Sequence, residues 1–236
     1  FKIDIANKKS VNYIFNNNQI DIVINFAAES HVDNSIKNPS KFIQSNIVGV
    51  NNLIEASMSQ WMTRPNVYKK RFRESFFLQI STDEVFGSIP IKKKIDEKAK
   101  FFPSSPYSAS KASAENLIYS YYKTFGLNMI ISNSSNNYGP FQNKEKFIPN
   151  SITSIIKNRP ITLYGDGKNI RDWIHVSDNC DAIIKILLKG SFGESYIISS
   201  NDEMSNIRVL EKLISIGSSK LNKKLKNIKD KIIKVK

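Results

Sequence analysis

The chain has 236 residues, with 35 Lys and Arg against 21 Asp and Glu, a formal net charge of +14, two His and one Cys. A composition of 40% hydrophobic and 24% charged residues fits a globular protein with a sizeable core and excludes collagen, wholesale disorder and a disulfide scaffold. The lone Cys180 cannot form an internal disulfide, no apolar run approaches the ~20 residues that span a bilayer, and the opening FKIDIANKKS is too polar for a signal peptide, so a cytoplasmic location is expected.

The first residue is Phe, set almost against a strand-like segment, and the last residues, KDKIIKVK, stop without a cap or turn. This reads as a piece of a longer chain with both ends missing. Asp21 to Phe26, ending in Ala27-Ala28, is a short apolar run expected to form a buried parallel strand. Residues 40–58 carry Phe42, Ile43, Ile47, Val50, Leu53, Ile54 and Met58 at helical spacing, with Ser40 as the expected cap. Phe76 to Ile80 is the next strand, ending at Ser81-Thr82. A charged, Pro-bearing loop from Ile91 to Pro106 follows, then a helix over 107–125 closed by Gly126, then a strand over Leu127–Ile131. This alternation predicts an α/β fold: a Rossmann-like, doubly wound parallel sheet with helices on both faces and ligands at the carboxyl edge of the strands. After Pro140 the pattern loosens into shorter elements, expected to form a smaller second lobe.

Half of the net charge lies in residues 218–236, which hold eight Lys and one Asp, and a second basic cluster is Lys69, Lys70, Arg71 and Arg73. The chain is also rich in Lys, Asn and Ile, and no RNA-binding aromatic signature or zinc spacing accompanies the charge. A solvated tail is the expected reading, with no nucleic-acid and no membrane partner. His31 and His175 are far apart with no third ligand at metal spacing, so no metal is expected; His175 reads as structural and Cys180 as a small core residue.

The sharpest chemical feature is Tyr107-Ser-Ala-Ser-Lys111 at the start of a helix. Four residues make one turn, so phenol and ammonium share a face. An adjacent ammonium should lower the phenol pKa and make it a base for a hydroxyl proton. Alone, such a pair is usually a surface contact. Here a strand ends in Ser81-Thr82 about 25 residues earlier, at the same sheet edge, which is the spacing of a Ser/Thr–Tyr–Lys hydride-transfer site.

With these residues the chain resembles the extended short-chain dehydrogenase/reductase family. Ala27-Ala28-Glu29-Ser30-His31-Val32-Asp33, Ser81-Thr-Asp-Glu-Val-Phe-Gly87, Ser135-Asn-Asn-Tyr-Gly-Pro140 and Tyr164-Gly-Asp-Gly-Lys-Asn-Ile-Arg-Asp-Trp173 stand in order. Within that family they resemble the dTDP-glucose 4,6-dehydratases, from Asp4 to about Asn206. The resemblance implies an NAD-binding domain over 1–145 and a partial nucleotide-sugar lobe over 146–236, a boundary that segments can cross.

It also implies roles. Thr82, Asp83, Glu84, Tyr107 and Lys111 would be catalytic. Glu84 would remove the C5 proton and Asp83 would protonate the leaving hydroxyl, a pair that related epimerases and decarboxylases lack. NAD would be held by Asp4, Ile5, Phe26, Ala27, Ala28, Ser30, Ser45, Asn137, Tyr107 and Lys111. The sugar nucleotide, dTDP-glucose, would meet Ser30, Thr82, Asn136, Lys146, Phe147, Thr162, Leu163, Tyr164, Arg171 and Asn206. Asp4 read without the resemblance is a strand-end acid, Tyr164 a core residue, and Asp83-Glu84 a solvated loop or a cap. His31 would stand near the sugar.

The Gly-rich dinucleotide turn is absent from the sequence, Gly49 being its first glycine. Asn133 stands where the family commonly has Arg, and Phe86 where Tyr is common. A homodimer is expected through the helices at 40–58 and 107–125, because Ile47, Val50, Ile54, Tyr119, Tyr121 and Tyr122 extend beyond one apolar stripe. Alternatives are another nucleotide-sugar 4,6-dehydratase or an epimerase of the family, or a non-catalytic nucleic-acid-binding relative.

Overall fold

A computed structural model describes residues 1–90, 93–220 and 232–235. Most of the Lys-rich tail, and Ile91 and Lys92 of the 91–106 loop, lie outside the described residues. Two compact units make up the chain: Phe1–Ser134 with Ala182–Ile198, and Ser135–Asp181 with Ser199–Lys236.

No strand opens the first unit. Phe1 to Asp4 lead into a turn, in which the Asp4 carboxylate accepts from Ala6 N at 2.9 Å, so Asp4 is a turn residue rather than a strand-end acid. Then comes α1 (Lys8–Asn17), a helix that the sequence reading does not anticipate. The Asn7 side chain caps it by accepting from Ser10 N, and Val11 and Phe15, one turn apart, bury against Ala56. β1 (Ile22–Asn25) is parallel to its neighbour, as expected, but it is not buried. Val23 packs on the α1 cluster, while alternation turns Ile22 and Ile24 to the other face, 46% and 39% exposed.

α2 (Val32–Lys37) and α3 (Pro39–Ile43) follow. A π-helical turn over Gln44–Val48 joins α3 to α4 (Gly49–Trp61). The long helix therefore starts at Pro39, with Asn38 at the cap position rather than Ser40, because proline's fixed φ suits the first helical residue. β2 (Met62–Arg64) and β3 (Val67–Tyr68) form a small hairpin. Beyond it, the Lys69 ammonium donates to the last-turn carbonyls of Ser59 and Gln60 in α4, so one member of the basic cluster caps a helix.

β4 (Phe76–Thr82) leads, through the 83–105 segment, to α5 (Pro106–Phe125). Ser105 and Ser108 form a reciprocal capping box at the start of α5, and Gly126 closes it in the left-handed region at φ 71°. β5 (Met129–Ser134) begins two residues later than the apolar run predicts and continues through Asn133 and Ser134. Four more elements lie in the second unit: β6 (Asn136–Tyr138), α6 (Phe147–Ile156), β7 (Ile161–Tyr164) and β8 (Ile170–His175). α7 (Val176–Lys189) returns the chain to the first unit for β9 (Ser195–Ile198). The second unit resumes with β10 (Glu203–Ser205), α8 (Asn206–Lys220) and β11 (Ile232–Val235).

The main sheet runs β1-β4-β5-β9 with every pairing parallel. Phe77, Met129 and Ile131 of one face pack against Val50, Ile54 and Trp61 of α4 and Ala114 and Ile118 of α5. Ile130, on the opposite face, lies against the end of α7, where a Cβ on Gly190 would stand 3.1 Å from it. Helices thus cover both faces, and the sheet is doubly wound and Rossmann-like. Val50 and Ile54 belong to this core, at 1% and 0% exposure, so they are not available to a second surface as the dimer argument requires.

In the second unit, β10-β8-β6 form a three-stranded sheet and β11 pairs parallel with β7. Ile155, Ile161, Leu210 and Ile214 join α6, β7 and α8 in one small core. Cys180 is exposed. Asn179, Ile183 and Ile186 are the buried stripe of α7, and Cys180, one residue round, points away from it. His175 hydrogen-bonds Ser177 at 2.6 Å and meets the Tyr138 ring edge-on. No described helix is long and apolar enough to cross a membrane.

Candidate active site

β4 ends at Thr82, and the chain turns at once into a single 3₁₀ turn over Asp83–Phe86. Thr82 Oγ1 caps that turn by accepting from Glu84 N at 3.2 Å, and it contacts Asp83 Oδ1 at the same distance. Gly87 closes the turn at φ 73°, where a Cβ would stand 2.1 Å from the Phe102 carbonyl, so only glycine lets the two segments meet. The geometry fixes Thr82, Asp83 and Glu84 in sequence at the carboxyl edge of the sheet.

The capping box of α5 places Tyr107 in its first turn. Tyr107, Lys111, Glu115 and Ile118 form the buried, sheet-facing stripe of that helix. Lys111 Nζ donates to the Ile80 carbonyl at 2.6 Å, and Gln79 Nε2 donates to the same oxygen at 2.8 Å. Burial lowers the Lys111 pKa to about 8, with nearby Glu115 opposing. The Tyr107 phenol is pushed up, not down as the pairing with Lys111 predicts. Burial is the largest cause, the charges of Glu84 and then Asp83 add to it, and a side-chain hydrogen bond with Thr82 works the other way. The start of α5 also packs against the Asp83–Phe86 turn, which puts the phenol within electrostatic reach of Glu84 and Asp83.

The Ala27–Ser30 loop leaves the end of β1 beside this edge. Ala27 N donates to Asn25 Oδ1, and the Asn25 amide donates to buried Gln79. Asn46, buried inside the π turn, grips Glu29 from both sides: Glu29 N donates to Oδ1, and Nδ2 donates to the Glu29 carbonyl, each at 2.9 Å. The same Nδ2 reaches Ser110 Oγ on α5. Asn46 therefore sets the loop against the helix of Tyr107, and the sequence reading passed over it. A poor helix former inside an apolar helical run was its signal. Phe26 is 61% exposed and Ala27 is exposed, while Ala28 and Ser45 are half-buried and Ser30 is exposed. Ile5 packs on Gly49, and its carbonyl accepts from Asn52.

Within the second unit, Tyr164 and Thr162 face outward and Leu163 is buried in the core, as strand alternation requires. Leu163 can therefore offer a ligand only its backbone. Gly167, at φ 75°, brings the turn after β7 onto α8, where Ile207 N donates to its carbonyl and Asn206 N donates to Asn169 O. Arg171 is exposed and lies opposite Met204 in the antiparallel β8–β10 pair, next to the Ser205–Asn206 end of β10. Lys146 sits at the start of α6, and the Phe147 ring is 6.1 Å from Trp173. Asn136 and Asn137 are part-buried on β6, each with its Oδ1 buried and lacking a hydrogen-bond donor. His31 Nδ1 is likewise without a partner.

The sequence profile of the GDP-mannose 4,6 dehydratase family matches residues 1–236. The chain belongs to that family. It is 43% identical over 215 residues to a dTDP-glucose 4,6-dehydratase of Xanthomonas campestris, covering 91% of this chain and 60% of the relative. Another from Haemophilus influenzae is 42% identical over 216 residues, covering 91% and 63%. The crystal structure of dTDP-glucose 4,6-dehydratase from Bacillus anthracis in complex with NAD superposes with a TM-score of 0.80 at 37% identity, covering 99% of this chain and 66% of that one. The corresponding enzyme of Streptomyces venezuelae, also solved with NAD, gives 0.84 at 33%, covering 99% and 65%. This family member spans about 60% of the length of the curated relatives it matches.

Proposed function

We propose that the protein bearing this chain is an NAD-dependent hydro-lyase that converts dTDP-glucose to dTDP-4-dehydro-6-deoxy-glucose. The observation that carries the reading is the Asp83-Glu84 pair, fixed by the Thr82-capped turn and felt by the Tyr107 phenol. Dehydration across C5 and C6 of a hexose needs one group to take a proton and another to give one. Two carboxyl groups beside a buried phenol supply both.

Tyr107 takes the proton of the sugar 4-hydroxyl as C4 is oxidised, and Thr82 hydrogen-bonds the C4 oxygen. The 4-ketone acidifies the C5 hydrogen. Glu84 removes it, and Asp83 protonates the departing C6 hydroxyl, which leaves as water. C5 is then reprotonated from Glu84. C4 stays a ketone, so Tyr107 gives its proton to solvent and Asp83 takes one up, which resets both groups. A nicotinamide held there would supply the acceptor for hydride from C4 and the donor of hydride to C6.

The residues present fit such a cofactor. Exposed Phe26 and Ala27, with half-buried Ala28, offer an apolar ledge of mostly small side chains at a strand's carboxyl end. Lys111 spends one of its three N–H donors on Ile80 and keeps two for a hydroxyl-rich group. We assign Asp4, Ile5, Ser30, Ser45 and Asn137 to the same cofactor. Ser30 and Asn136 are assigned to the sugar, and Lys146, Phe147, Thr162, the Leu163 backbone, Tyr164, Arg171 and Asn206 to the nucleotide diphosphate. Arg171 suits it through the planar fork that pairs with phosphate oxygens.

We further propose a cytoplasmic homodimer that uses the remaining apolar side chains of the long helices. Exposed Ile43 and Tyr119 support this, and light scattering that finds a monomer at micromolar concentration would overturn it. The experiment for the reaction is substrate deuterated at C4, incubated without added reductant. Label should appear at C6 of the product. Label lost to water, or released on free cofactor, would sink the reading.

A further inference from the structure

Glu115 stands one helical turn beyond Lys111 and is 3% exposed. A buried carboxylate is costly unless its oxygens are partnered, and Glu115 Oε1 has two donors. The Ser81 hydroxyl at the end of β4 gives one, and Asn133 Nδ2 on β5 gives the other at 2.8 Å. The same Asn133 amide reaches the Thr82 carbonyl at 3.2 Å. One carboxylate therefore joins α5, β4 and β5 directly behind Thr82. None of the proton transfers assigned above uses it.

We propose that Glu115 is a positioning residue, which clamps α5 to the carboxyl ends of β4 and β5 and holds a buried negative charge one turn from the Lys111 ammonium. Through that clamp it fixes Lys111 on the Ile80 carbonyl and Tyr107 beside Thr82.

The electrostatics agree with the geometry. Burial raises the Glu115 pKa to about 7, while the Ser81 and Asn133 hydrogen bonds and the Lys111 charge pull it back. Lys111 is the cation nearest to it on α5. Toward solvent, Glu115 borders a cavity of about 690 Å³ whose charged and phenolic groups are Asp96, Glu97, Lys98, Tyr119, Glu194 and Tyr196. The carboxyl group can thus exchange protons with water on that side.

The proposal rests on reading Tyr107 and Lys111 as the hydride-transfer pair. Its first test needs neither cofactor nor substrate. In protein carrying ¹⁵N-labelled lysine, the Lys111 amine is titrated by NMR, with Lys111→Arg as the assignment control. Glu115→Gln keeps an oxygen acceptor for Ser81 and Asn133 but removes the charge, so Lys111 should titrate at lower pH than in the parent. An unmoved titration in the folded variant overturns the proposal.

Glu115→Asp keeps the charge but is one methylene too short for the clamp. Its kcat should fall ~10- to 100-fold while KM stays within about twofold, as expected for misplaced catalytic groups. Parental kcat in this variant also overturns the proposal. If the parent itself fails to convert dTDP-glucose, the reading of the reaction falls, and the Lys111 titration still decides the role of Glu115.

Discussion

Three of the residues assigned to chemistry and three of those assigned to the nucleotide occupy opposite physical regimes. Thr82, Tyr107 and Lys111 are 8%, 9% and 5% exposed, whereas Tyr164 is 51% exposed and Thr162 and Arg171 are exposed with it. Burial in the first group moves proton affinities: the phenol up, the ammonium down, and Glu115 up beside them. The shifts of Lys111 and Glu115 bring these groups toward neutral pH, whereas that of the phenol holds its proton more tightly. The second group has little burial and no need of it. A diphosphate is recognised by cations and planar donors that water can reach until the ligand displaces it. One chain therefore uses desolvation where bonds are to be made and broken, and exposure where charge is to be captured.

That contrast predicts how substitutions divide. The largest effect belongs to Tyr107→Phe, which removes the acceptor of the 4-hydroxyl proton. Turnover should fall ~10⁴-fold, at the upper end of what one acid–base group contributes, and no enzyme-bound reduced nicotinamide should accumulate. A variant that still reduced the cofactor at the parental rate would show that the base lies elsewhere.

Glu84→Gln comes next, with turnover down ~10²- to 10³-fold through loss of the C5 base. Oxidation at C4 should survive, so reduced cofactor should build up on the enzyme. The Glu84 charge is one of the causes that raise the Tyr107 pKa, so removing it should shift this oxidation to lower pH. A shift to higher pH, or none, would mean that the phenol does not feel Glu84.

Arg171→Ala should act on the other regime. The lost charge-assisted contact is worth ~1.5–3 kcal/mol, which raises KM for dTDP-glucose ~10- to 100-fold and leaves kcat within about threefold. If kcat fell and KM did not, Arg171 would belong with the chemistry and the division would break.

Much of this was legible in the sequence because it is local. The run from Tyr107 to Gly126 carries its own period, start and stop, and α5 formed where the pattern placed it. The Thr82-Asp-Glu sequence needed only a strand end to become a site. α1 escaped because its Asn-rich sequence has weak helix propensity and its stability comes from Val11 and Phe15 packing on Ala56, 41 or more residues away. The direction of the Tyr107 shift escaped for a related reason. Helical spacing puts Lys111 on the same face, but it does not reveal that the ammonium is directed to the Ile80 carbonyl or that two carboxylates lie nearer in effect. Asn46 stands out only as a poor helix former, and its role and that of Glu115 were not legible because their partners lie on separate segments: Glu29 and Ser110 for one, Ser81 and Asn133 for the other.

The last effect is on stability rather than turnover, and it separates the two regimes without any ligand. Glu115 has an ordinary carboxyl value of 4.5, raised in the folded protein to about 7. Between those values the folded state binds more protons than the unfolded one, so stability declines as pH rises through that window. Lys111 is lowered from 10.5 to about 8. Over that higher window the unfolded state binds more protons, so stability climbs again as pH rises, and this contribution is lost as pH falls through 8. The two groups together predict a minimum between about pH 7 and 8 in urea unfolding measured across pH. Glu115→Gln should flatten the acid side of the curve and move the start of the alkaline rise to lower pH, because the Lys111 ammonium loses its neighbouring charge. Arg171→Ala, at an exposed side chain, should leave the shape as it is. A Glu115→Gln protein that kept the full acid-side decline would assign that decline to other carboxyl groups and remove Glu115 from the buried, proton-exchanging set.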